Sequence, residues 1–105
     1  MFENFVTTAY GGLTGTGIEV SINFAVDMDM SVIDLSQWDL QIDGIAQGIP
    51  DSGQFWTLNV MGLNWTIPGL NLGMSFKVKY TGNDVNLKSE SGVRQSGFDW
   101  KTVYA

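Results

Sequence analysis

The side chains here that could do chemistry are mostly aromatic rings and amides. The 105 residues contain four tryptophans, three tyrosines and six phenylalanines, but no cysteine and no histidine. Without thiols or imidazoles, thiolate nucleophiles, zinc–sulfur sites and the commonest general base are excluded. A glycosidase would need two carboxylates facing each other across a cleft, and the eleven acids are scattered singly, so catalysis is not expected. Asp27-Met28-Asp29 with Asp34 offers oxygen ligands, but it lacks the glycine and spacing of a calcium loop and reads as a solvated loop. No cofactor or metal is expected. What remains is ring stacking on the apolar faces of sugars, with amides bonding to hydroxyls. The candidates are Trp65, Phe55, Tyr10 and Trp100 for stacking, and Asn64, Gln54 and Asn59 for hydrogen bonds.

The elements that must carry these side chains alternate with a period of two. Ile18, Val20, Ile22 and Phe24 point one way, while Glu19, Ser21 and Asn23 point the other. Trp38, Leu40 and Ile42 repeat the pattern, as do Met74, Phe76, Val78 and Tyr80, and a last strand runs over Phe98–Tyr104. Gly53–Val60 read as one strand puts Trp56, Leu58 and Val60 inward and Phe55, Thr57 and Asn59 outward. Parity thus assigns Trp38 and Trp56 to the core. Trp65, beside a Pro68-Gly69 turn, is left exposed, and the glycines of Gly11–Gly17 read as a hairpin connection. About seven short strands, with no 3.6-residue apolar period, predict an all-β, two-sheet antiparallel β-sandwich of immunoglobulin-like kind, formed as one domain over residues 1–105.

Charge narrows the partners. Residues 1–76 carry eight acids and no base, whereas residues 77–105 carry five bases and three acids. A net charge of −6 repels phosphate backbones, so nucleic acid is not an expected partner. The split between an acidic body and a mildly basic end reads as ordinary solvated strand faces, with a head-to-tail homo-oligomer built on unlike surfaces as the sharper alternative. No stretch approaches the roughly 20 apolar residues of a membrane span. Met1-Phe2-Glu3-Asn4 lacks the basic start of a secretory leader, which leaves either a chain that is not secreted or one trimmed ahead of Met1. Asn64-Trp65-Thr66 is a glycosylation sequon.

The order of pieces resembles the cellulose-binding sandwich modules of families 2 and 49. Tyr10-Gly11-Gly12, Ile18–Ile22, Trp38–Ile42, Trp56-Thr57-Leu58, Trp65–Pro68 and Leu72–Tyr80 follow one another as in those modules, over about residues 5–80. Ser89 to Ala105 has no counterpart there. The resemblance implies a non-catalytic module outside the cell or at its surface that binds a polysaccharide such as cellulose, another β-glucan or chitin. The competing expectation is a structural subunit of an extracellular, viral or filament assembly, held by strand edges and complementary charge.

Overall fold

The computed structural model describes residues 2–29 and 33–105; the reading of Met1 lies outside them. The strands are β1 (Phe2–Glu3), β2 (Val6–Leu13), β3 (Gly17–Phe24), β4 (Trp38–Ile42), β5 (Ile45–Ala46), β6 (Ser52–Thr57), β7 (Val60–Thr66), β8 (Phe76–Tyr80), β9 (Arg94–Gln95) and β10 (Phe98–Val103). Seven of them have five or more residues, the number expected from alternation. Among the described residues the one other regular element is a 3₁₀ turn, Leu35–Gln37, whose N-cap Asp34 accepts from the Ser36 amide. The Ser36 hydroxyl and amide hold the Asp34 carboxyl below the usual carboxylate range.

Two four-stranded antiparallel sheets form the sandwich, in the orders β2-β3-β7-β6 and β10-β8-β4-β5. Their inner faces supply the core: Ile18, Val20, Ile22, Met61, Leu63 and Trp65 from one, and Trp38, Leu40, Val78 and Tyr80 from the other, each almost wholly buried. Trp38 stacks on Tyr80 at 4.7 Å and meets Phe98 edge-on at 5.9 Å. On one side the sheets are sewn together. Tyr104 N donates to Ala9 O and Gly11 N to Tyr104 O, forming a parallel bridge between β2 and the end of β10. Gly11 and Gly12 therefore lie within β2, not in the hairpin loop, which is confined to Thr14–Thr16. The β4–β5 hairpin turns on Asp43 and Gly44, both at positive φ, the Asp-Gly pairing that a type I′ turn requires.

The polar stretch after β8 is fastened from within. Gln95, fully buried, accepts from Phe5 N at 2.8 Å and donates to Asn4 Oδ1 and Ser96 O. One amide side chain thus ties the start of the chain to its last quarter.

Two polar atoms in the aromatic core, Trp38 Nε1 and the Tyr80 hydroxyl, have no hydrogen-bond partner among the described residues. Burial, helped by the Asp84 and Asp34 carboxylates, drives the Tyr80 phenol well above its ordinary range; the nearby Asp84 amide opposes the shift without closing a hydrogen bond. The folded state then holds this proton more tightly than the unfolded chain does. Stability from this group is complete below about pH 10, the unfolded phenol value, and falls as pH rises beyond it. Tyr80→Phe is expected to melt at or slightly above the wild-type temperature at neutral pH, since it removes an unpaired buried hydroxyl. Above pH 10 its melting temperature should decline less steeply than that of wild type.

Candidate carbohydrate-binding face

The outward side chains of the β2-β3-β7-β6 sheet follow from its register. Tyr10 on β2 lies opposite Ser21 on β3, Ser21 opposite Gly62 on β7, and Gly62 opposite Gln54 on β6. Tyr104 extends this row past β2, its ring 6.2 Å from that of Tyr10. The two phenol rings are about half exposed, at 50% and 59%. One register step along, Glu19 lies opposite Asn64.

The middle of the row is filled from the next strand. A bulge between Phe55 and Thr57 makes Trp56 the extra residue of β6. Its indole rests over Gly62, where a Cβ would fall among the ring atoms Cζ2, Cε2 and Nε1. The absence of a side chain at residue 62 makes room for the ring against the sheet, and Trp56 stays 43% exposed. Strands lie about 4.8 Å apart, so Tyr10 and the indole above β7 are separated by roughly 10 Å of sheet, with Ser21 between them. Aromatic faces alternating with hydroxyl and amide groups can cover the apolar side of a sugar chain and bond its hydroxyls.

Sequence parity misplaced the rings in this region. Trp56, expected inside, is on the outer face; Phe55, expected outside, is turned inward against Phe24, with ring centroids 5.9 Å apart. Trp65, expected exposed, is a core residue with 3% exposure, and its Nε1 donates to Gly48 O at 3.0 Å. The corrections have separate origins. Ahead of the turn, Gly53 and Phe55 pair with the inward-facing Leu63 and Met61, so the apolar face of β6 is the one opposite to that expected. Trp65 follows Met61 and Leu63 on the inner side of β7, a strand that begins after Leu58 and Asn59 turn the chain without the glycine that marks most two-residue turns.

The other candidates divide. Tyr10 and Gln54 stand in the aromatic row, with Asn64 beside it. Asn59 sits at the hairpin tip, where Thr57 Oγ1 lies 3.0 Å from its Oδ1. Trp100 belongs to β10 on the other sheet, with Lys79 Nζ 5.7 Å from its ring centroid. Parity overlooked Trp56 and Tyr104, and Gly62 was the available signal for the first, because a glycine in mid-strand marks close approach by another group.

Many acids have structural duties at turns. Asp43 accepts from Ser75 N, Asp51 from Thr66 N, Asp39 from Gly48 N, and Asp84 from Asp34 N and Asn86 N. Asp29 lies 3.9 Å from Lys88 Nζ. Among the described residues no group of three or more acids gathers as a metal site, and no helix is long and apolar enough to cross a membrane.

No family model, curated protein or solved structure matches this chain.

Proposed function

We propose that the chain is a non-catalytic carbohydrate-binding module whose ligand, a β-glucan or similar polysaccharide, lies across the strands of the β2-β3-β7-β6 sheet. The observation that carries this reading is the exposed row of Tyr104, Tyr10 and Trp56, with the indole seated over Gly62. In this reading the three rings take the apolar faces of successive sugars. Ser21, Gln54 and Asn64 meet hydroxyls from between and beside them, and Glu19 is the acid opposite Asn64 in the register. A face with so little charge favours a neutral polysaccharide.

Depletion from solution by microcrystalline cellulose and by chitin tests the reading. Wild type is expected to be removed by at least one of them. Trp56→Ala should weaken retention by about tenfold or more, the loss usual for a central aromatic anchor. Gly62→Val should do the same by displacing the indole, whereas Trp100→Ala on the opposite sheet should bind as wild type. Failure of every insoluble glycan to deplete the wild-type protein would sink the proposal.

A further inference from the structure

We infer that Glu19 sets the selectivity of the aromatic row: its carboxylate takes hydroxyls of a neutral sugar seated on Tyr10 and turns away a sugar that carries a carboxylate of its own. Selectivity of this kind rests on the sugar reading of the row, and Glu19 is the residue that decides which sugars the row accepts. Glu19 is half-buried on the outward side of β3, between Gly12 of β2 and Asn64 of β7. Tyr10 lies opposite Ser21 and is therefore the diagonal neighbour of Glu19, at about 7–8 Å. A sugar ring on the phenol thus comes within reach of the carboxylate.

The fold gives this acid no other duty. Asp34, Asp39, Asp43, Asp51 and Asp84 accept backbone amides, whereas among the described residues the Glu19 carboxylate has neither a hydrogen bond nor an ion pair. All five basic residues follow residue 76, so no cation lies on β2, β3, β6 or β7 to neutralise it. The position beside it on β2 is open. A Cβ at Gly12 would meet nothing within 4 Å, so no side chain at that register position stands between the carboxylate and a ligand lying over β2. An ionised carboxylate accepts hydrogen bonds and cannot donate them. It can therefore hold two adjacent hydroxyls through charge-assisted bonds, while it offers a second carboxylate only repulsion, which is how a site rejects a competing ligand.

Depletion isotherms test this on cellulose or chitin, whichever retains the wild type, and on the same polymer oxidised to carboxylate at its primary alcohols. At about 0.15 M salt the screening length is about 8 Å, so acids elsewhere on the body contribute little. Wild type is expected to bind the neutral polymer about tenfold or more tightly than the oxidised one. Glu19→Gln, which keeps the shape and removes the charge, should narrow that ratio to about threefold or less, and Glu19→Lys should reverse it, each with the wild-type melting temperature. Glu90→Gln, an equal loss of charge at an exposed loop residue before β9, should keep the wild-type ratio. Equal binding of the two polymers by wild type, a ratio unchanged in both Glu19 variants, or equal narrowing by Glu90→Gln would overturn the role of Glu19 and leave the sugar reading in place. Retention of wild type by no polymer would overturn both.

Discussion

Trp65→Ala should leave the protein close to unfolded, whereas Trp56→Ala should leave its stability nearly unchanged. Trp65 packs between the sheets with 3% exposure, so truncation opens a cavity the size of an indole in a close-packed interior. Phe or Trp to Ala changes at such sites cost about 3–5 kcal/mol, a large share of the 5–15 kcal/mol typical of a whole domain. The Nε1 bond to Gly48 O is lost as well, although Gly48 is exposed and its carbonyl can return to water. Trp56 rests on the outer face with 43% of its surface exposed, and its removal uncovers a glycine without hollowing the core. A cost under about 1 kcal/mol is expected there. Chemical denaturation of the two variants checks the contrast directly. Comparable losses of stability would mean that the inward and outward assignments on this hairpin are wrong.

Gln95→Leu is expected to be the most damaging change to a polar residue. The amide is fully buried and serves three partners: Phe5 N, Asn4 Oδ1 and Ser96 O. Leucine fills a similar volume but leaves the Phe5 amide without an acceptor in a buried place. A cost of about 2–3 kcal/mol follows from stranding buried polar groups, or a melting temperature lower by on the order of 10–15 °C in a domain of this size. The damage should be local first. Parallel pairing of β1 with β9 and the Ser96 N bond to Glu3 O depend on the segments that this amide holds together. Hydrogen exchange should therefore quicken at Phe5 and Gln95 before it does at Val20 or Leu40. Unchanged protection at Phe5 would show that the amide is not what fastens the ends.

Local alternation was sufficient for much of this molecule. Ile18–Phe24, Trp38–Ile42 and Phe76–Tyr80 each bury the set of side chains that period-two reading assigns to the inside. A strand has only two faces, so once one face is apolar its burial needs no further information. From seven such segments, a chain without helical periodicity had the two-sheet sandwich as its natural outcome. Tyr10, Gln54 and Asn64 were candidates by residue type and by their place near strand ends and turns, not by alternation, which would have put Gln54 on the inward side with Trp56.

The tertiary structure decided where parity restarts and which outward residues stand together. Leu58-Asn59 reverses the chain without a turn signature, and the bulge at Trp56 adds one residue to β6. Both faces of β6 carry an aromatic ring, so alternation alone could not choose between Phe55 and Trp56, and the parity of β7, which buries Met61, Leu63 and Trp65, starts afresh after the turn. The row itself needs β2, β3 and β7 to lie side by side, with Tyr104 brought to Tyr10 from the far end of the chain. Strand order and long-range register leave no periodic trace in a sequence. They are set by how two apolar faces close on each other. The aromatic composition belongs to the sequence by itself, but the choice of which rings fill the core and which form the exposed row is made in packing.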